Sequence, residues 1–260
     1  MVPIPRRLLL PMLARNNRLA ARQPPLLCYV TDRHSLPIAN TAESLAALTQ
    51  RIEEIAAAGV DWVQIREKDL SAAELASLTR QSLRIAAQLS AKRSSPTRIL
   101  VNDRLDVAIA ERAGGVHLGE KGLPVADAKR LVESAPRKQA LDESFAIGVS
   151  CHSLEAAQAA QRDGADYIVF GPIFVTPSKE PFGTPQGTER LEQVCREVSI
   201  PVLAIGGITP DNALSCIEAG AAGIAAIRLF QDTVNPSDAI RRVRHLFTDS
   251  HRRPPADRKR

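Results

Sequence analysis

Gln64, Arg66 and Lys68 alternate within the octapeptide V-Q-I-R-E-K-D-L at positions 63–70. On an extended strand, side chains two residues apart leave by the same face. An amide, a guanidinium and an ammonium gathered on one face are poor packing material, because a buried charge is costly without an opposite charge beside it. They suit the oxygens of a phosphate or diphosphate: Arg grips with forked hydrogen bonds, and Lys neutralises as a point charge. The plainer reading of the same residues is an edge strand with a solvated face.

The elements that must position these groups alternate regularly. Strand-like apolar runs are Leu26–Thr31, Trp62–Arg66, Ile99–Asn102, Gly115–Leu118, Ala146–Ser150, Tyr167–Gly171, Val202–Gly206 and Gly223–Ile227. Longer amphipathic segments follow most of them, such as Ala42–Ala58, Ala72–Ser90, Leu154–Asp163, Pro210–Ala219 and Pro236–Phe247. Ser153 and Thr209-Pro210 read as helix starts, and Gly164 and Gly220 as helix ends. Nearly continuous apolar strands imply a parallel sheet covered on both faces. Eight βα units over positions 26–250 predict one α/β domain, a single (β/α)8 TIM barrel. An open doubly wound sheet is second, since the first βα turn lacks the glycine-rich dinucleotide fingerprint.

Barrel active sites gather at the C-terminal ends of the strands, where this chain places its polar residues. Beyond Gln64, Arg66 and Lys68 these are Thr31, Asp32 and Arg33, Asn102 and Asp103, Ser150 and His152, Thr176, Ser178 and Lys179, Gly206 and Gly207, and Ile227 and Arg228. Singly, each has an ordinary explanation: Asp103 as a helix cap, His117 and His152 as satisfied histidines, Thr176 and Ser178 as shapers of a proline turn. Seven such clusters at one end of the strands point instead to a site. One anion site is expected at the Gly206-Gly207 turn, running into a helix at Pro210, with the end of the eighth strand. A second combines Arg66, Lys68 and Lys179 with Gln64 and Asn102. Asp103 can bring Mg²⁺ there, because that ion commonly joins one or two carboxylates to substrate phosphates. Two phosphate sites across one barrel mouth imply a transferase joining two phosphorylated fragments.

Charge and cysteine usage narrow the class further. The chain of 260 residues carries a net +5. Residues 1–25 contribute +5 through five arginines and no acid, and residues 251–260 contribute +4, which leaves −4 on the body. These basic ends read as disordered tails. With aromatic content at 3%, a stacking surface for nucleic acid is not expected. No run is long and apolar enough for a bilayer, and the Leu8–Leu13 run, broken by Pro11, makes a poor secretory signal. Cys28, Cys151, Cys195 and Cys216 lack metal-ligand spacing and fit a reduced, cytoplasmic setting. Homo-oligomerisation is left open.

With these residues assembled, the chain resembles the thiamine phosphate synthase family, which includes a thiazole tautomerase branch. The resemblance spans about Leu26 to Phe230. It rests on Tyr29-Val30-Thr31-Asp32, Gln64-Ile65-Arg66-Glu67-Lys68, Val101-Asn102-Asp103, Gly115-Val116-His117-Leu118-Gly119, Gly171-Pro172-Ile173-Phe174 and Ala204-Ile205-Gly206-Gly207-Ile208-Thr209-Pro210. It implies coupling of a hydroxymethylpyrimidine diphosphate to a thiazole phosphate, with Mg²⁺ and release of diphosphate. Gln64, Arg66, Lys68, Asn102 and Lys179 match the family's diphosphate side. Ser150, Thr176 and Ser178 match the pyrimidine and thiazole side, and Gly207 matches the thiazole-phosphate turn.

Two departures accompany the resemblance. The family usually follows H-L-G with Q-E-D or Q-D-D, whose last Asp is a second Mg²⁺ ligand; here Gly119-Glu120-Lys121-Gly122 puts Gly122 at that position. Arg228 stands where the family usually has a small Ser. The loss of one metal ligand raises thiazole tautomerisation as the alternative, with His152 as the natural acid–base group. A non-catalytic barrel that senses phosphate ligands is the third reading. Retention of Gln64, Arg66, Lys68, Asn102, Asp103 and Lys179 favours the synthase.

Overall fold

The computed structural model describes residues 25–36, 41–90, 96–134, 144–176 and 184–250. The basic tails at 1–24 and 251–260 lie outside them, as do Ser178 and Lys179. Eight parallel strands close on themselves in sequence order: β1 (Leu26–Val30), β2 (Trp62–Ile65), β3 (Arg98–Asn102), β4 (Gly115–Leu118), β5 (Ala146–Cys151), β6 (Tyr167–Phe170), β7 (Val202–Ile205) and β8 (Gly223–Ala226). The helices between them are α1 (Thr41–Ala58), α2 (Ala72–Ser90), α3 (Leu105–Ala110), α4 (Val125–Glu133), α5 (Leu154–Arg162), α6 (Gly187–Glu197) and α7 (Ala213–Glu218); α8 (Arg228–Gln231) and α9 (Pro236–Ser250) follow β8. The structure is the (β/α)8 barrel expected, and the open-sheet alternative is set aside.

The strand register gives the barrel its stagger. Following paired residues around the sheet, Cys28, Trp62 and Arg98 are level, then Leu100, Gly115 and Ala146, then Gly148 and Tyr167, then Val169, Leu203 and Gly223, and finally Ala225 returns to Cys28. Each transition climbs two residues. Four of them make a shear of eight, the value of this barrel class.

Strand periodicity divides the core in two. One set of strand residues, including Leu27, Tyr29, Val63, Ile65 and Val101, packs outward against helix faces such as Leu48, Ile52 and Ile55 of α1. That spacing is the apolar stripe of an amphipathic helix, and burying each such side chain stabilises the fold by about 2 kcal/mol. The alternate set, including Cys28, Val30, Trp62, Leu100, Tyr167, Val169 and Leu203, fills the barrel interior. There the Trp62 and Tyr167 rings meet edge to face at 4.8 Å. A Cβ on Gly148 would lie 2.0 Å from Cζ of Tyr167, so the phenol ring occupies the space of the missing side chain.

Local signals account for the limits of α5. Ser153 Oγ accepts from the N–H of Ala156 at the start of α5, and Gly164, with φ +86°, follows its end. The helix expected from Pro210 differs: α7 begins at Ala213, because Asn212 ties down the preceding turn. Its Oδ1 accepts from the N–H of Thr209 at 2.8 Å, and its Nδ2 donates to the Gly207 carbonyl at 2.9 Å.

Candidate active site

The interior face of the strands continues upward into a cavity of about 200 Å³ at their C-terminal ends. Its wall is polar on the β1–β5 side, with Asp32, Gln64, Arg66, Asn102, His117, Ser150 and His152. Val30, Val169, Gly171, Ile205 and Ile227 complete it. Six of the residues named from the sequence therefore share one wall: Gln64, Arg66, Asn102, Ser150, His152 and Ile227.

A hydrogen-bonded chain organises the β2–β4 sector. Gln64 Nε2 donates to Asn102 Oδ1 at 2.8 Å, and Asn102 Nδ2 donates to Asp103 Oδ2 at 2.7 Å. Asp103 Oδ1 accepts the Gly119 N–H at 2.7 Å. Asp103 adopts a left-handed backbone, φ +58°, which a short polar side chain tolerates when it bonds locally. Among the described residues no cation pairs with Asp103, whose carboxylate is exposed beside the cavity-wall residue Asn102. No three His, Cys, Asp or Glu side chains among the described residues gather to hold a metal. One carboxylate beside the Gln64–Asn102 amide pair nevertheless fits Mg²⁺, an ion that keeps several waters and commonly takes its other ligands from substrate phosphates.

The intervening acids of the same octapeptide serve the scaffold. Glu67 accepts from Thr31 Oγ1 at 2.6 Å, from Arg33 Nη1 at 3.0 Å and from the Arg33 N–H. Both charged side chains are almost fully buried, and these bonds offset the desolvation of the pair. The same guanidinium holds Asp69 through both nitrogens. That pairing depresses the Asp69 carboxyl well below the usual carboxylate range. Lys68 thus sits in an exposed turn between two anchored acids, just outside the cavity wall. Arg66 is placed by its own N–H, which donates to Thr31 Oγ1 at 2.9 Å. Its guanidinium has no ion-pair partner among the described residues.

Histidines organise the β4–β5 sector. His117 lies inside the barrel, bonded through Nδ1 to the Tyr167 hydroxyl at 3.2 Å and through Nε2 to Ser150 Oγ at 3.0 Å. It aims the Ser150 hydroxyl from beneath. His152 is half-buried, and its Nδ1 pairs with Glu120 Oε2. Between them, burial reinforced by the Glu120 charge pushes the Cys151 thiol up to about 12, so it is no thiolate nucleophile. All four cysteines are free and buried.

The far rim, above β6–β8, is built by close backbone approach. Gly206 and Gly207 have φ of +99° and +65°. A Cβ on Gly207 would lie 2.5 Å from the Val175 carbonyl oxygen, and one on Gly206 would lie 2.6 Å from Cβ of Pro172. These glycines therefore admit the segment after β6 as well as the left-handed backbone. No long helix starts at this turn, and α7, the next helix, has six residues. Thr176 is half-buried on that segment, and Arg228 opens α8 at the surface. The unbroken strand order places this rim across the mouth from β2 and β3.

Asp32, His117, Glu67 and Glu120 contribute more to the site and its support than their sequence positions indicated. The first two share the interior parity of their strands, a signal already present in the alternation. Glu67 and Glu120 had none, because each is defined by a partner more than thirty residues away.

The family described as thiamine monophosphate synthase matches residues 35–230. The chain belongs to the thiamine monophosphate synthase family. It is 38% identical over 192 residues to a thiamine-phosphate synthase of Moorella thermoacetica, covering 74% of this chain and 84% of that one. A thiamine-phosphate synthase of Chloroflexus aurantiacus is 39% identical over 198 residues, covering 76% and 84%. Among solved structures, thiamine phosphate pyrophosphorylase from Pyrococcus furiosus superposes with a TM-score of 0.71 at 28% identity, covering 88% of this chain and 98% of that one. The family match takes in β2 through β8, and with them every wall residue of the cavity except Val30 and Asp32.

Proposed function

We propose that the protein is a thiamine phosphate synthase, a transferase coupling hydroxymethylpyrimidine diphosphate to thiazole phosphate. The observation that carries this reading is Arg66, a guanidinium on the cavity wall with no carboxylate against it among the described residues. A cation so placed awaits an anionic ligand.

Arg66, with Lys68 and the Gln64–Asn102 amide pair, holds the diphosphate, and Lys179 joins them from the loop after β6. Asp103 would hold Mg²⁺, which when bound would supply further neutralisation of the departing charge. The C–O bond from the pyrimidine methylene to diphosphate breaks, and diphosphate keeps the electron pair. The thiazole nitrogen lone pair then forms the new C–N bond. Residues that stabilise the departing anion accelerate the first event more than they tighten ground-state binding. Val30, Val169, Ile205 and Ile227 line the reacting space and exclude water, a competing nucleophile for the pyrimidine cation. Ser150, Thr176 and Ser178 orient the rings, while Gly207, Ile227 and Arg228 hold the thiazole phosphate opposite.

The substrates are small and phosphorylated; nucleic acid and membranes are not partners in this reading. Among the described residues no helix is long and apolar enough to cross a membrane. Four free thiols support a reducing compartment, and we place the enzyme in the cytoplasm.

One observation favours a second reading. His152 is braced by Glu120, while position 122 offers no second carboxylate, which suits proton transfer on a carboxythiazole phosphate. Incubation with both fragments and Mg²⁺, and separately with the carboxythiazole tautomer alone, separates the readings. Formation of thiamine phosphate supports the synthase. Isomerisation without coupling supports the tautomerase, and ligand binding with neither reaction leaves a sensing barrel.

A further inference from the structure

An imidazole–carboxylate pair beside the cavity is not used by the coupling reaction as derived above. His152 forms part of the cavity wall, whereas Glu120 does not. Glu120 reaches His152 from the turn after β4 and takes its Nδ1. The two come from neighbouring strands, 32 residues apart in sequence, and both side chains are about one-third exposed. An ionised carboxylate only accepts hydrogen bonds, so in a neutral imidazole the proton of this pair must reside on Nδ1. Nε2 is then left with its lone pair. Nε2 is thus the ring nitrogen left to a ligand in the cavity that His152 lines.

We propose that Glu120 is the positioning residue of His152, fixing the tautomer in which Nε2 accepts a hydrogen bond or proton from the bound ligand. The donor class this nitrogen suits is an N–H of an amino-substituted ring in the bound substrate, and this deepens the synthase reading on which it rests. A partner on one ring nitrogen commonly decides what the other nitrogen does. In metal centres such outer partners typically change function by 10- to 100-fold. The short reach of Glu120 from the Gly119 turn also explains what this side chain does in the absence of a second metal-binding acid: it serves the histidine rather than Asp103.

The test uses the full chain labelled with ¹⁵N-histidine, at about pH 9 where an ordinary imidazole is neutral. The His152 signals are assigned by their loss in His152→Gln. Wild type should show the proton on Nδ1, and Glu120→Ala should shift the ring toward the Nε2–H tautomer. Turnover should fall about tenfold in Glu120→Ala and about a hundredfold in His152→Gln, with KM changed less than about threefold. The double variant should be no slower than His152→Gln, since Glu120 acts only through the ring. Glu120→Gln, whose amide oxygen still accepts from Nδ1–H, should recover most of the activity and the wild-type tautomer. An Nε2–H tautomer in wild type, an unchanged tautomer in Glu120→Ala, or losses that multiply in the double variant would overturn the proposal. If wild type fails to couple the two fragments, the synthase reading falls, and the spectra alone still decide whether Glu120 sets the tautomer.

Discussion

Gly122 faces Asp103: a Cβ on Gly122 would stand 3.5 Å from Asp103 Oδ1 and 3.1 Å from the Gly119 carbonyl oxygen. Position 122 is thus the point from which a second carboxylate would join the first. Ligand charge count is a main control of divalent-cation affinity. Gly122→Asp should lower the Mg²⁺ concentration for half-maximal coupling about tenfold, and calorimetric titration of Mg²⁺ with diphosphate should show the same shift. Unchanged midpoints in both would show that positions 103 and 122 do not share an ion.

Arg66 touches no described side chain as an ion pair, so its removal should spare the fold and injure the reaction. Arg66→Ala should lower turnover by about 10²–10³, the usual effect of removing one preorganised charge-stabilising donor. Its denaturant midpoint should match wild type. Steady-state kinetics beside urea unfolding check both halves, and full activity would remove the diphosphate assignment.

Arg33 and Glu67 make the opposite case. Their side chains are 4% and 1% exposed, and removing one leaves a buried charge behind. Arg33→Met should destabilise the protein by about 3 kcal/mol in equilibrium unfolding. Activity should fall only as far as the Arg66–Lys68 turn loosens. A loss under about 1 kcal/mol would mean that Glu67 is satisfied by Thr31 and backbone alone.

The Arg33–Asp69 contact gives stability a defined pH dependence. Hydrogen bonding to Arg33 lowers the Asp69 carboxyl in the folded state. A lowered acid contributes stability that is fully present above its unfolded value near 4 and is lost as pH falls toward the folded value. The stability gap between wild type and Asp69→Asn should therefore shrink as pH falls below about 4. Because Asp69 is half exposed, solvent screening keeps the gap small. A gap that grows as pH falls below about 4 would contradict the assignment, and thermal melts across the acid range measure it.

Much of this architecture is legible along the chain because its causes are local. A period of two placed Gln64 and Arg66 on one face, and the structure puts both on the cavity wall. Regular βα alternation pointed to the barrel, and Ser153 marked a helix start that its hydroxyl does cap. The start expected at Pro210 failed for a local reason too, since Asn212 makes a competing turn to Gly207 and Thr209.

The sequence by itself determined the strand faces, the strand ends that carry polar groups and the cationic octapeptide, since each follows from spacing within a few residues. Tertiary structure decided which of those groups meet. Gln64 finds Asn102 38 residues away, Glu67 finds Arg33 34 residues away, and Glu120 finds His152 only because β4 and β5 are neighbours in the closed barrel. Such pairs depend on register and closure, which are properties of the whole sheet. No local pattern in the chain could have shown that Glu120 faces a histidine, or that Gly122 faces Asp103.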